Sequence, residues 1–294
     1  MCEFIFCKNN LLYSVCDKMK EILKRLADGE ISIEECETLL RADNIRELDN
    51  VAQLDTSRKD RTGFPEAILA DSKDYDDLLA IIKTYFEKEE SKSNSIDLKE
   101  NIIVTRLSKE RYELLEKDLS YLLDNGIKFD YNKRAKILII YKDALVNFNE
   151  EYGKVGLLTA GTSDIPIAEE AKVIVEQGGC EVISSYDIGV AGIHRLFPQI
   201  AYMVEEDVCA FIVCAGMEGA LPSVVAGLVD VPVIAVPTSV GYGIGADGKA
   251  ALYSMLQSCA PGLSVVNIDN GFGAGVCALT IAKNIARKVK MSKE

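Results

Sequence analysis

Two side chains in the second half of the chain have the chemistry of a nucleophile and a base. Cys259 lies in Gln257-Ser-Cys-Ala-Pro-Gly262, where proline and glycine follow a predicted helix and expose the thiol. Glu218 lies in the turn Gly-Met-Glu-Gly after an apolar stretch, a setting that predicts a general base with a raised pKa. A helix end disfavours a thiolate. The residues alone therefore leave Cys259 open between a nucleophile and a packing thiol, and Glu218 between a base and an exposed turn acid.

The loop Gly161–Asp164 has the composition of a phosphate site. It follows the apolar run 154–160 and precedes a predicted helix with Pro166 in its first turn. Backbone amides and hydroxyl groups at such a strand-to-helix junction bind anions, and proline is tolerated there because its missing N–H is not needed. We expect Gly161, Thr162 and Ser163 to bind substrate and Asp164 to act in catalysis.

His194 and Arg195 form a polar pair in a second glycine-rich loop. His194 is the only histidine of the chain, and Arg195 is the only lysine or arginine between Lys172 and Lys249. A guanidinium fork beside an imidazole suits a phosphate or a carboxylate, so the pair is expected to bind substrate. The alternative for an isolated histidine is an ordinary surface or core group.

Small and polar residues also fill the remaining loops. Glycine lets a ligand approach the backbone, and carboxylates suit a hydrated Mg²⁺ ion. The further residues expected to bind substrate are Gly216, Met217, Ser239, Asn267, Asn270 and Gly271. Asp269 and Asn270 are the residues of these loops expected to hold such an ion. A tight turn with a helix cap is the alternative for the segment 267–275.

Alternating strands and helices must position these loops. The pattern predicts strands near 154–159, 180–185, 208–215, 231–236 and 263–267, and helices near 166–177, 196–205, 221–228, 249–258 and 274–288. Such alternation predicts an α/β fold with a doubly wound, mainly parallel sheet, whose functional loops lie at the carboxyl ends of the strands. We predict three segments: a mostly helical region 1–100 with an arginine-rich loop, a small α/β segment 101–150, and a catalytic nucleotide-binding domain 151–294.

Composition limits the partners and the compartment. The formal net charge of −13 argues against binding to nucleic acid or to an anionic membrane. The nine cysteines, without a recognisable signal peptide or CxxC pair, predict reduced thiols in a cytoplasmic protein. The usual Rossmann fingerprint is absent after the first strand of the second half, so a plain NAD dehydrogenase is not favoured and no tightly bound organic cofactor is expected.

Long motifs resemble a known family. They are GTSDIPIAEEA, DIGVAGIHRL, AGMEGALPSVVAGLV, PVIAVPTSVGYG, SCAPG and NIDNGFGAG, spread over most of residues 154–290. They resemble the nickel-pincer cofactor biosynthesis family that makes pyridinium-3,5-biscarboxylic acid mononucleotide. The runs DTSRKDRTGFPEAI (55–68) and IIVTR (102–106) resemble the amino-terminal part of the same family.

The resemblance implies carboxylation of nicotinic acid adenine dinucleotide at pyridinium C5 and hydrolysis of its phosphoanhydride. The co-substrate would be CO₂ or bicarbonate, with Cys259 adding to the ring and Glu218 removing the C5 proton. Mg²⁺ is expected at the pyrophosphate, with Asp164, Asp187 and Asp269 as its candidate ligands. Arg58, Arg61 and Arg106 are expected near the substrate carboxylate or the AMP half. By analogy with related carboxylases, the chain is expected to form a homo-oligomer, an octamer.

The second half also resembles, more distantly, the aminoimidazole ribonucleotide carboxylases of purine synthesis. Ser163-Asp164, His194-Arg195 and Leu221-Pro222 match the phosphate and catalytic loops of that family. Those carboxylases have a histidine immediately before the Leu-Pro pair, where this chain has Ala220. Two alternatives therefore stay open: an aminoimidazole ribonucleotide carboxylase or mutase, and a non-catalytic nucleotide-binding scaffold.

Overall fold

Three sheets organise the part of the chain that the computed structural model describes, namely residues 13–36, 46–48, 52–54, 58–86, 98 and 100–293. The chain divides into two units, Met1–Ile68 with Ser72–Ile103 and Leu69–Asp71 with Val104–Glu294. Among the helices within these described residues, none is long and apolar enough to cross a membrane. The second unit contains every predicted site residue except Arg58 and Arg61.

Short elements make up the amino-terminal part. They are α1 Tyr13–Ala27, β1 Arg46–Leu48, β2 Ala52–Leu54, α2 Arg58–Thr62, β3 Ala67–Leu69 and α3 Tyr75–Thr84. The strands β1 and β2 pair antiparallel. On α3, aspartates in the first turn and a lysine in the last complement the helix dipole, while Leu78, Ile81 and Ile82 are buried. The arginine-rich segment, predicted to be a loop, contains the one-turn helix α2.

A small mixed segment follows. Its elements are β4 Ile102–Thr105, α4 Lys109–Asp118, α5 Ser120–Asp124, β5 Lys128–Asn132 and β6 Ile137–Tyr141. The four-stranded sheet has the order β3-β4-β6-β5, and β5 pairs antiparallel with β6. The helices α4 and α5 are separated at Leu119, whose φ of −109° and ψ of 14° are not helical. Ser108 caps α4, since its hydroxyl accepts the Arg111 N–H.

A five-stranded parallel sheet carries the candidate site. Its strands are β7 Lys154–Thr159, β8 Val182–Ser185, β9 Val208–Ala215, β10 Val233–Pro237 and β11 Leu263–Val265. The order β11-β10-β9-β7-β8 has all neighbours parallel. The central strands are continuous apolar runs and are buried, as expected where helices cover both faces. The doubly wound α/β prediction is therefore confirmed.

Five helices cover the two faces of this sheet. They are α6 Ile165–Gln177, α7 Leu196–Glu205, α8 Leu221–Ala226, α9 Lys249–Leu256 and α10 Gly271–Lys293. One face is a single core in which α7, α8 and α9 pack on the strands around Phe211 and Val213. On α10, Gly275 lies so close to α6 that an added Cβ would stand 2.8 Å from the Ala171 carbonyl oxygen. Both layers therefore fix the loops that leave the strands.

Candidate active site

The strand order brings two loops to the position where α/β sheets bind ligands. In order along the sheet, the five parallel strands read 2-1-3-4-5 from the β8 side, the flavodoxin-like arrangement. Connections leave β7 toward β8 on one side and β9 toward β10 on the other, so a crevice forms at their carboxyl ends. The loop containing Asp164 follows β7, and the turn containing Glu218 follows β9. The crevice therefore lies between these two segments.

Asp164 is a buried carboxylate at the centre of this crevice. It is 4% exposed, and it accepts hydrogen bonds from the Gly161 N–H at 2.8 Å and from the Thr238 hydroxyl at 2.6 Å. Burial raises the pKa of Asp164, the bonds from Thr238, Gly161 and the Gly216 amide oppose the rise, and the charge of Asp269 adds to it. Thr162 and Ser163 are exposed beside it.

Gly216 fixes the turn that carries Glu218. A Cβ at Gly216 would lie 2.1 Å from the Val240 carbonyl oxygen and 2.8 Å from the Thr238 hydroxyl, so only glycine fits. Met217 has a φ of +54°, and its N–H donates to the Val240 carbonyl at 3.3 Å. Glu218 is exposed at this turn, whereas the sequence predicted apolar surroundings for it. Its predicted role as a base stays a prediction.

The His194-Arg195 pair lies on the β8 side of the crevice. Arg195 Nη1 donates to Asp187 Oδ2 at 3.0 Å, and both side chains are about half exposed. The Asp187 N–H in turn donates to the Thr159 hydroxyl at 3.0 Å, which ties this loop to the end of β7. Gly192 leaves room for the guanidinium, since a Cβ there would stand 2.7 Å from Arg195 Nε. His194 is exposed.

Asp269 joins three segments on the opposite side of the crevice. Its Oδ1 accepts the Ser239 N–H at 2.8 Å, and its own N–H donates to the Pro237 carbonyl at 2.9 Å. Its carbonyl oxygen accepts a hydrogen bond from Arg106 Nη2 at 2.9 Å. Arg106 therefore lies at the carboxyl edge of the parallel sheet, although it follows β4, a strand of the four-stranded sheet.

The residues around the start of α10 have structural roles. Asn270 Oδ1 accepts the Gly273 N–H at 2.9 Å and caps the helix, and Asn267 Oδ1 accepts the following N–H. A Cβ at Gly271 would lie 2.2 Å from the Ile167 carbonyl oxygen, so this glycine permits close approach of α6. The geometry thus favours the turn-and-cap alternative here, and substrate binding by Asn267, Asn270 and Gly271 stays a prediction.

Cys259 is exposed in the turn between α9 and β11. The Ser223 hydroxyl donates to Ser258 Oγ at 2.8 Å, and Ser258 Oγ also accepts the Ala260 N–H at 3.2 Å. Ser223 is on α8, the helix that follows the Glu218 turn. A Cβ at Gly219 would lie 2.9 Å from the Ala251 Cα, which shows how closely α9 packs on that turn. The Cys259 and Glu218 segments are therefore attached to each other through α8 and α9.

The carboxylates do not fit a magnesium ion held by the protein alone. Both oxygens of Asp164 accept hydrogen bonds, and Asp187 is paired with Arg195. Asp187 is anchored at the end of β7 and Asp269 at the end of β10, two strand spacings or roughly 10 Å apart. No group of three potential ligands from His, Cys, Asp and Glu occurs among the described residues. A metal held by these three aspartates therefore has no part in the steps proposed below.

Some residues lie outside the predictions or outside the described part of the chain. Glu170 and Thr238 were missed, because a buried carboxylate on a helix and a strand-end threonine give no distinctive sequence pattern. The side chain of Arg61 lies outside the described residues, and Arg58 is exposed on α2 in the first unit.

Two family models match the chain. The AIR carboxylase model covers residues 154–293, and the LarB/PurE-like N-terminal domain model covers residues 45–142. An uncharacterized protein of Methanocaldococcus jannaschii is 46% identical over 266 residues, which is 90% of this chain and 97% of that protein.

Carboxyaminoimidazole ribonucleotide mutases match about half of the chain. The N5-carboxyaminoimidazole ribonucleotide mutases of Methanocaldococcus jannaschii and Thermotoga maritima are 38% and 32% identical to this chain. They cover 45% and 48% of it, and the matches span 83% and 84% of their own lengths. The two family models cover residues 45–142 and 154–293, and a relative aligns with nearly the whole chain. This chain therefore belongs to the LarB/PurE-like family, with an AIR carboxylase domain as its second half.

Proposed function

We propose that this protein carboxylates pyridinium C5 of nicotinic acid adenine dinucleotide and hydrolyses its phosphoanhydride. The products would be pyridinium-3,5-biscarboxylic acid mononucleotide and AMP, for nickel-pincer cofactor synthesis. The observation that carries the proposal is the exposed Cys259 on a turn tied to the helix that follows the Glu218 turn. A nucleophile and a base on two attached segments are what this carboxylation needs.

The steps balance without an oxidant or a reductant. The Cys259 thiolate adds to C4 of the pyridinium, and the ring becomes a neutral dihydropyridine whose C5 is the nucleophilic carbon of an enamine. C5 then forms a bond to the carbon of CO₂, and the ring nitrogen becomes cationic. Glu218 removes the C5 proton, the C4–S bond breaks, and the aromatic pyridinium returns with one more carboxylate. Exposure of both side chains leaves them accessible to a ring placed between them.

Phosphate binding is supported by the β7 side of the crevice. Exposed Thr162 and Ser163 and the half-exposed guanidinium of Arg195 offer donors to the pyrophosphate. Hydrolysis adds water across the anhydride and releases AMP. A Mg²⁺ ion arriving with the phosphates would neutralise charge there, which is the usual way proteins use this ion with nucleotides.

The comparisons favour this activity over purine carboxylation in one respect. Methanocaldococcus jannaschii has a protein similar to nearly the whole of this chain and, separately, a mutase similar to less than half of it. A second protein with the additional amino-terminal domain is expected to carry out a different reaction. The alanine at position 220, where the purine carboxylases have histidine, agrees with that expectation.

Mass spectrometry of the small molecules tests the proposal. Purified protein is incubated with nicotinic acid adenine dinucleotide, Mg²⁺ and ¹³C-bicarbonate. We expect AMP and a mononucleotide carrying one labelled carboxylate. Cys259→Ala should abolish labelling, while Cys277→Ala, which removes another exposed cysteine, should retain it. An untouched dinucleotide, or full labelling by Cys259→Ala, would contradict the proposal.

Purine carboxylation is the second candidate, because the AIR carboxylase model matches the crevice-forming half of the chain. It predicts that carboxylated aminoimidazole ribonucleotide forms or isomerises, and that Cys259→Ala leaves this activity unchanged. The same incubation with that ribonucleotide distinguishes the two reactions. Size-exclusion chromatography with light scattering tests the proposed octamer independently of either activity.

A further inference from the structure

Glu170 is a buried carboxylate that the proposed reaction does not use. It lies on α6 and is 3% exposed. Burial raises the pKa of Glu170, while the Thr105 hydroxyl, the charge of Arg106 and the amides of Phe272 and Gly271 oppose the rise. A buried charged group is retained only when partners satisfy it, so these contacts identify what Glu170 holds in place.

The first contact fixes the backbone before Arg106. The Thr105 hydroxyl donates to Glu170 Oε1, and the Thr105 carbonyl accepts the Ala70 N–H at 2.9 Å. Arg106 itself has a φ of +55°, a region that residues other than glycine rarely adopt. Surrounding structure must impose this conformation. The buried bond between Thr105 and Glu170 is one contact of that structure with the parallel-sheet layer, and the bond from Arg106 to the Asp269 carbonyl is another.

The imposed conformation places the Arg106 guanidinium at the edge of the crevice. Nη2 donates to the Asp269 carbonyl at 2.9 Å, and Nη1 lies 3.4 Å from Asp71 Oδ2. The side chain remains 38% exposed. A guanidinium has five N–H donors, so the two contacts leave donors for an anionic group of a ligand.

The second contact of Glu170 makes the start of α10 unavailable to such an anion. Phe272 N–H donates to Glu170 Oε2 at 3.2 Å, and the Gly271 amide also bonds to this carboxylate. The negative charge of Glu170 already complements the helix dipole there. These amides are therefore taken up by Glu170, whereas Arg106 keeps donors for an anion on this side of the crevice.

We infer that Glu170 is a positioning residue for an anion subsite centred on Arg106. The subsite takes a carboxylate or phosphate group of the dinucleotide, and the identity of that dinucleotide rests on the proposed function. Glu170 fixes the backbone of Arg106 through its bond to Thr105. It also accepts the amides at the start of α10, which would otherwise be donors to the same anion. Its loss is expected to weaken ligand binding while leaving the chemical steps at Cys259 and Glu218 intact.

Steady-state kinetics of two variants test this role, and each variant has its own control substitution. Glu170→Gln and Thr105→Val should each raise KM for nicotinic acid adenine dinucleotide about tenfold, with kcat within twofold, because each variant perturbs a hydrogen bond to a buried carboxylate. Thr105→Ser should restore KM because it keeps the hydroxyl. The control Glu169→Gln alters the adjacent carboxylate, which bonds to Tyr186 instead, and should leave KM unchanged.

A double variant separates positioning from general destabilisation. If Glu170 acts through Arg106, then Glu170→Gln combined with Arg106→Met should bind no more weakly than Arg106→Met alone. Additive losses, or unchanged KM in both Glu170→Gln and Thr105→Val, would overturn the inference. Thermal unfolding of each variant identifies any loss of folded protein, and Thr105→Val remains the test if Glu170→Gln does not fold.

Ligand analogues separate the two anion sources. Nicotinamide adenine dinucleotide has an amide in place of the ring carboxylate of nicotinic acid adenine dinucleotide. If Arg106 binds that carboxylate, the variants should lose affinity only for nicotinic acid adenine dinucleotide. If Arg106 binds a phosphate, the variants should lose affinity for both dinucleotides equally. Binding of inorganic pyrophosphate, measured by calorimetry, keeps the test independent of the reaction. The proposed substrate is refuted if the wild-type protein binds pyrophosphate but does not bind nicotinic acid adenine dinucleotide. The role of Glu170 is refuted if the wild type and Glu170→Gln bind every one of these anions with equal affinity.

Discussion

Adding one methyl group at Gly216 should displace the Glu218 turn. The new Cβ would meet the Val240 carbonyl oxygen at 2.1 Å, while real Cβ contacts are essentially never under 3.0 Å. The turn must therefore move by about 1 Å, a displacement that costs an enzyme about 100-fold in rate when it misplaces a catalytic group. Overpacking of this size should also lower the free energy of unfolding by about 1–3 kcal/mol.

Gly227→Ala is the matched control for Gly216→Ala. Gly227 has a φ of −79°, and a Cβ there would come no closer than 3.5 Å to the Val224 carbonyl oxygen, its nearest neighbour. Alanine should fit and change stability by less than about 1 kcal/mol. The assay is dinucleotide turnover together with urea unfolding of both variants. Wild-type turnover by Gly216→Ala would refute the claim that a rigid turn places Glu218.

Three further predictions concern the charged groups of the crevice. Thr238→Val should lower the free energy of unfolding in urea by about 1–3 kcal/mol, because it leaves a buried oxygen of Asp164 without its donor. Since burial raises the pKa of Asp164 above 3.8, its contribution to stability is fully present below that pH and is lost as pH rises through the folded-state pKa. In urea titrations, the free energy of unfolding of Asp164→Asn relative to that of wild type should therefore increase as the pH rises from 3.8 through the folded-state pKa. A difference that stays constant with pH would show that burial does not raise this pKa. Arg195→Met should weaken calorimetric binding of pyrophosphate about tenfold by removing the guanidinium fork beside Asp187, while Arg134→Met, on an exposed turn away from the parallel sheet, should not.

The sequence predicts the parallel layer well because its signals are local. Apolar runs such as Val208–Ala215 can hardly be anything but buried strands, and the strand and helix positions agree with the structure to within a few residues. The strand order is another matter, since it depends on how the helices cross the sheet. The sequence therefore predicts that the loops lie at one edge of the sheet, but it does not predict which two loops flank the crevice.

The site could be predicted only where side-chain chemistry shows in the sequence. The glycines of the segment 267–275 were expected to let a ligand approach, but Gly271 and Gly275 accommodate carbonyl groups of α6. A pattern of glycines gives no indication of which atom comes close. Glu170 was missed for the complementary reason: it follows another glutamate in an amphipathic helix, and only the fold shows that Glu169 is partly exposed while Glu170 is buried.

One scaffold can support two reactions because it fixes the backbone of its turns and leaves their side chains free to differ. Gly216 and Gly219 are held by Val240 and by α9, so a side chain between them always occupies nearly the same place. In the purine carboxylases that turn is followed by histidine; here Ala220 removes the imidazole, and the exposed Glu218 is the acid of the turn. A base alone does not activate a pyridinium toward CO₂, since that ring needs a nucleophile first. In the proposed reaction the Cys259 turn, which is attached to α8 and α9, would provide that nucleophile, and the two differences would then belong to one change of reaction.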